Sequence, residues 1–107
     1  MEQLNKVELC GVVGSVRTHT ISDTLVARFS LATNFASMDA QGFPIIETTW
    51  HSVTAWEGER CRNLSSITKG SHVYVQGRLR CQKYIGTDGF ERSCFEVVAQ
   101  EVKLLDE

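Results

Sequence analysis

Trp50 and Trp56 stand six residues apart in the stretch Thr48-Thr49-Trp50-His51-Ser52-Val53-Thr54-Ala55-Trp56. In an extended strand, successive side chains alternate between two faces. Trp50, Ser52, Thr54 and Trp56 therefore share one face, and His51, Val53 and Ala55 share the other. The tryptophans fall on the polar face, with hydroxyls between them, where they suit a stacking ligand better than a core. A second stretch adds charge. Along Ser71 to Tyr84, alternation puts Arg78, Arg80 and Tyr84 on one face. Lys and Arg neutralise phosphates and release counterions. Flat rings stack on any unpaired base, at ~1–3 kcal/mol per base. Paired bases hide their faces, so this combination points to a single-stranded nucleic acid bound without strict sequence preference. An acidic protein surface is the other ligand that aromatics among cations would accept.

Catalytic chemistry finds less support. His19, His51 and His72 have no Asp or Ser at motif spacing, and G-x-S-x-G, H-E-x-x-H, P-loop and G-x-G-x-x-G patterns are absent. Gly11-Val12-Val13-Gly14 is too short and strand-like for a phosphate loop. No enzyme activity, cofactor or small-molecule substrate is expected. Cys10, Cys61, Cys81 and Cys94 form no C-x-x-C pair, and no His lies at metal-ligand spacing from any of them. They are expected to be four reduced thiols used as small apolar residues. Cys81 and Cys94 flank a hairpin and would face each other in one register, whereas a two-residue Asp88-Gly89 turn would set Cys94 opposite Lys83.

The net charge is −2 over 107 residues, but it is unevenly distributed. Met1 to Glu59 carries −4, Arg60 to Thr87 carries +6, and Asp88 to Glu107 carries −4. The middle block (Arg60, Arg62, Lys69, Arg78, Arg80, Lys83) contains no carboxylate, and such patterning suits an anionic ligand. A chain of this length forms one domain, residues 1–107, with a single modest core. No apolar run approaches a membrane span, and Met1-Glu2-Gln3-Leu4-Asn5-Lys6 has no signal-peptide core. A cytoplasmic protein with no membrane partner is expected.

These residues need strands to position them. Asn5–Val13 reads as the first, with Val7, Leu9, Gly11 and Val13 on one face; Gly11 and Gly14 mark a bulge or the close approach of another backbone. Val16–Thr24 reads as a polar turn region. Leu25–Asn34 is the second strand, with Leu25, Ala27, Phe29 and Leu31 inward and Arg28, Ser30 and Asn34 outward. Phe35–Ile46 reads as a loop, followed by the Trp strand. Glu57–Ile67 is the one stretch suited to a helix, of about two turns. Ser71–Tyr84 is the fourth strand, with Val73, Val75, Gly77, Leu79 and Cys81 inward. After a turn at Gly86–Gly89, Ser93–Leu105 is the fifth, with a break near Ala99–Gln100. This order fits an all-β fold: a five-stranded Greek-key barrel with one short helix between strands 3 and 4. An SH3-like barrel or small sandwich would give a similar strand count.

Several segments resemble one family in order and spacing. Asn5-Lys6-Val7-Glu8-Leu9-Cys10-Gly11-Val12-Val13-Gly14 resembles the N-K-V-x-L-x-G-x-x-G opening of bacterial single-stranded DNA-binding proteins. Val26–Asn34 resembles their second strand, Thr49-Trp50-His51-Ser52-Val53 their [ED]-W-H-x-V segment, and Lys69–Arg80 their K-G-x-x-V-Y-[IV]-x-G-x-L-x. The match runs from about Asn5 to Leu105. It implies an oligonucleotide-binding (OB) fold, assembled as a homotetramer, with a dimer as the alternative, that coats single-stranded DNA in replication, recombination and repair.

By position, the resemblance implies base stacking on Trp50, on Trp56 (often Phe in the family) and on Tyr84 (often Trp). The family's loop aromatic falls near Ser37, where Phe35 or Met38 would substitute, and Phe35 is taken as the stacking candidate. Lys6, Arg28, Arg78, Arg80, Lys83 and Arg92 are the candidate phosphate contacts, and His51, Tyr74 and Gln76 the candidate subunit-interface residues. Typical members continue into a flexible linker and an acidic tail that recruits other enzymes. This sequence ends Leu104-Leu105-Asp106-Glu107, and a barrel without that tail would coat DNA without recruiting by that route. A tailless barrel also resembles the primosomal replication protein N family, which is usually dimeric and assists replication restart; the W-H-x-V segment favours the first family.

Overall fold

A computed structural model describes residues 2–105; Met1 and the expected chain end at Asp106-Glu107 lie outside the described residues. Five strands form a closed barrel in the spatial order β1-β2-β3-β5-β4. They are β1 (Val7–Ile21), β2 (Thr24–Met38), β3 (Pro44–Trp56), β4 (His72–Ile85) and β5 (Glu91–Leu105). β3 and β5 pair in parallel through Val53↔Val97 and Thr54↔Val98, and the other pairings are antiparallel. This is the expected five-stranded Greek-key OB barrel. Among the described residues, no helix is long and apolar enough to cross a membrane.

The inward alternation produces the core. Val13, Phe29, Leu31, Val53, Val73, Val75, Val97 and Val102 are buried inside the barrel. Between β3 and β4, Cys61, Leu64 and Ile67 add three more buried apolar side chains at three-residue spacing. Acidic Glu57 and Glu59 followed by basic Arg60 and Arg62 suit a helix dipole and led to the expectation of a two-turn helix over Glu57–Ile67. The structure has instead a single 3₁₀ turn, Leu64–Ser66. Two local facts account for the difference. Gly58 and Cys61 bond to each other, and the Arg60 carbonyl accepts from Val102 N–H, so these backbone groups are already used. Asn63 then adopts a left-handed conformation (φ 61°), which interrupts any helical run.

The strands run further than their sequence suggested. The polar stretch Val16–Thr24 is not a turn region: β1 continues to Ile21 and turns through Ser22-Asp23, both at positive φ. Two such residues make the tight hairpin turn that matches strand twist, usually marked by Asn-Gly or Asp-Gly. Phe35–Ile46 is likewise not a loop throughout. β2 and β3 stay paired out to Met38↔Pro44. Only 39–43 turn, with Asp39 Oδ1 accepting from the backbone N–H of Gln41 and Phe43 at 2.9 Å each.

β4 and β5 also project beyond the barrel. Leu79 and Cys81, expected inside, are exposed. The hairpin turns through three residues, Thr87–Gly89, closed by Gly86 N–H to Phe90 O at 2.9 Å, with Gly89 at φ 84°. The extra turn residue shifts the expected register by one. Cys94 faces Gln82, and Cys81 faces Phe95. The four thiols are free, and Cys61 alone of them is buried, its thiol pushed up chiefly by burial. The expected break near Ala99–Gln100 is a β-bulge: Gln76 pairs with Glu101 and Gly77 with Ala99, leaving Gln100 as the extra residue.

Candidate nucleic-acid interface

β2 and β3 pair without slippage from Val26↔Trp56 to Met38↔Pro44, so sidedness is constant along both strands. Val53 and Ala55 are fully buried in the core, while Trp50 and Trp56 on the outer face remain 60% and 45% exposed. Each therefore offers ring surface to a ligand. Trp50 lies against Gly14 of β1. A methyl group there would stand 2.7 Å from the indole Cη2, so only glycine leaves room for the ring. Gly14 belongs to a bulge, where Val13 pairs with Leu31 and Val16 with Phe29. His51 points the other way, half-buried, with its Nε2 2.8 Å from Thr33 Oγ1.

A row of charged and hydroxyl groups crosses this outer face. Arg17 of β1 pairs directly with Arg28 of β2, and Arg28 with Thr54 of β3. Thr54 Oγ1 donates to Glu96 Oε1 at 2.7 Å, and Arg80 Nη2 donates to Glu96 Oε2 at 2.6 Å. Glu96 is only 5% exposed. Burial alone would push its carboxyl up. The hydrogen bonds from Arg80 and Thr54, with the charges of Arg80 and Arg28, outweigh burial and hold it below its ordinary value. Glu96 is thus a buried anion facing Arg80. The Arg17–Arg28 end makes no such contact: among the described residues neither guanidinium makes an ion pair, and the charge of Arg28 reaches Glu96 only from a distance. A notch of about 160 Å³ opens there, lined by Ser15, Arg17, Arg28, Phe29, Ser30 and Ser52.

The other candidates divide among several surfaces. Arg78 shares the Arg80 face and lies opposite Val98. Tyr84, exposed on the β4–β5 arm, lies opposite Arg92, which ion-pairs with Asp88. Lys83 alternates onto the opposite side of that arm and pairs with Ser93. Lys6 is exposed just ahead of β1. Phe35 is exposed opposite Glu47, and strand parity puts it on the His51 side, away from Trp50; Met38 shares the Trp50 side. Tyr74 and Gln76 sit together on another part of β4. There Tyr74 Oη donates to Glu8 Oε2 at 2.6 Å and Gln76 Nε2 to Gln100 Oε1 at 3.1 Å. His51 is not among them. The basic block disperses too: Arg60 pairs with Glu101 at 3.0 Å, and Arg80 with Glu96.

Arg17, Ser15 and Glu96 join the site although residue type and spacing did not single them out. Arg17 lay in a segment read as a turn. Glu96 had one available sign, an acid inside the otherwise apolar strand run Phe95–Ala99. No three His, Cys, Asp or Glu side chains converge as metal ligands among the described residues.

The model of the Single-strand binding protein family matches residues 4–105. The chain belongs to this family. It is 37% identical to the single-stranded DNA-binding protein of Neisseria meningitidis over 95% of its own length and 60% of the relative's. The Xanthomonas campestris protein of the same description is also 37% identical, with the same coverage. The chain therefore spans about 60% of the length of these relatives. Among solved structures, it resembles the protein of a Plasmodium falciparum SSB complex with ssDNA at a TM-score of 0.80 and 28% identity, covering 99% of this chain and 98% of that one. A single-stranded DNA binding protein from Thermus aquaticus shares the fold at a TM-score of 0.75, 23% identity and 51% coverage of that chain.

Proposed function

We propose that this barrel binds single-stranded DNA without strict sequence preference and protects it in replication, recombination and repair. The observation that carries this reading is the pair of exposed tryptophans on one face beside the facing Arg17 and Arg28, neither of which is ion-paired. Bases stack on Trp50 and Trp56, and on Tyr84 where the strand crosses the β4–β5 arm. Arg28 and Arg78 contact phosphates on the Trp face; Lys83, Arg92 and Lys6 attract the strand at its margins. Family membership and the likeness to a protein in complex with ssDNA support the same ligand.

Binding by a homo-oligomer, a tetramer in the family pattern, belongs to this reading. Tyr74 and Gln76 present an outer β4 surface suited to a second copy, and His51 a separate one. Oligo-dT added to the protein should quench Trp fluorescence, with affinity falling steeply as salt rises. Absence of both effects overturns the reading. Mass in solution, measured with and without dT, tests the assembly: a monomer under both conditions overturns that part.

A further inference from the structure

We propose that Arg17 and Arg28, with the hydroxyls of Ser15, Ser30 and Ser52, form a seat for one phosphodiester of the bound strand, and that Glu96 withholds Arg80 from phosphate binding. This rests on the single-stranded DNA reading and goes beyond it by naming which cations meet the backbone.

Like charges directly opposite one another on a sheet are destabilising. Arg17 and Arg28 nevertheless occupy directly paired positions on β1 and β2. An anion between them turns that repulsion into attraction for both. The notch they border is lined by three serines and no carboxylate. Within it, Ser30 Oγ lies 3.0 Å from Ser15 N and 3.1 Å from Ser15 Oγ. Serine hydroxyls rotate to donate where an acceptor arrives. The notch also adjoins the stacking platform. Trp50 rests on Gly14, the residue before Ser15, and a Cβ on Gly14 would stand 3.0 Å from Ser30 Oγ. A base on the Trp50 ring and its own phosphate in the notch are thus neighbours, as they are in a nucleotide.

The other end of the row is built differently. Arg80 lies directly opposite Glu96 and donates to a carboxylate fixed by Thr54 from a third strand. Its charge is already matched inside the protein. A phosphate approaching Arg80 also approaches Glu96. Beside Trp50 the backbone therefore runs over β1 and β2, with the base directed toward β3, and does not run over Arg80.

Titrations with oligo-dT across a salt series, followed by Trp fluorescence, decide the matter. For single strands each phosphate contact contributes about 0.7 to the log–log slope of affinity against salt. Arg17 and Arg28 share one phosphate, so Arg17→Gln, Arg28→Gln and the double variant should each reduce the slope by the same single contact, about 0.7, and Arg17→Lys should restore it. Arg80→Gln, whose amide still donates to Glu96, should leave the slope unchanged. Glu96→Gln should steepen it by about 0.7 by releasing Arg80. An unchanged slope in Arg17→Gln, or a loss in Arg80→Gln equal to that in Arg17→Gln, overturns the proposal. If Glu96→Gln fails to fold, the Arg17–Arg80 contrast decides alone. No dT binding by the unaltered protein overturns the single-stranded DNA reading itself; binding with the wrong contrast overturns only the seat.

Discussion

The indole of Trp50 on β3 lies across Gly14 in the β1 bulge, at a position that admits no Cβ: a methyl there would meet Cη2 at 2.7 Å. The obstacle is a ring on the protein surface, which can swing away. Gly14→Ala should therefore tilt Trp50 and leave the barrel standing. Weaker dT binding and altered Trp emission, with a loss of stability of about 1 kcal/mol or less, are expected. Gly11 provides the contrast. A Cβ there meets the backbone carbonyl group of Ala32, which cannot move without β2. Gly11→Ala should lower the melting temperature more than Gly14→Ala does, and the opposite order would contradict the geometry.

Trp50→Ala and Trp56→Ala should each weaken dT binding by ~1–3 kcal/mol. Both rings are substantially exposed, so circular dichroism and the melting temperature should change little. A collapse of the melting temperature in either variant would show that its ring serves packing instead.

Glu96 makes stability depend on acid. Its folded-state pKa is lowered from an ordinary value of 4.5; although burial opposes ionisation, the hydrogen bonds and charges of Arg80, Thr54 and Arg28 prevail. A lowered folded value means that the carboxylate's contribution is fully present above the unfolded value and is lost as pH falls through the folded one. Urea midpoints measured between pH 6 and pH 3 should thus fall more steeply for the unaltered protein than for Glu96→Gln. Parallel curves would rule out a stabilising role for the ionised form.

Leu64 is fully buried at the start of the 3₁₀ turn and packs into the barrel core. Leu64→Ala should cost about 2–5 kcal/mol, read as a lower urea midpoint. If the loss stays below about 1 kcal/mol, the connection has closed over the space, which would make it more pliable than its packing implies.

Alternation is a local property of extended chain, and it was legible without any structure. The outward Trp50 and Trp56, the inward Val53 and Ala55, and the inward sets of β1, β2 and the first half of β4 all follow from a two-residue period. The order of the strand segments pointed to a five-stranded barrel, and the family segments singled out the OB fold from an SH3-like barrel or a small sandwich. Local sequence was a poorer guide where one backbone conformation decided the outcome. Ser22-Asp23 at positive φ extended β1 to Ile21, Asn63 in the left-handed region interrupted the expected helix, and a three-residue turn at Thr87–Gly89 displaced the Cys94 register by one.

Which side chains share a face of one strand follows from residue order alone, because it depends on neighbours two residues away. Which faces meet follows from how the strands assemble. Arg17 lies opposite Arg28 because a single bulge at Gly14-Ser15 sets the β1–β2 register. Glu96 meets Thr54 and Arg80 because barrel closure places β5 between β3 and β4. Charge counted along the chain put the cations in one block from Arg60 to Thr87. Charge in space ties Arg60 and Arg80 of that block to Glu101 and Glu96, and leaves Arg17 and Arg28, outside it, facing each other without an ion pair, since ion pairing depends on distance across strands and not on separation along the chain.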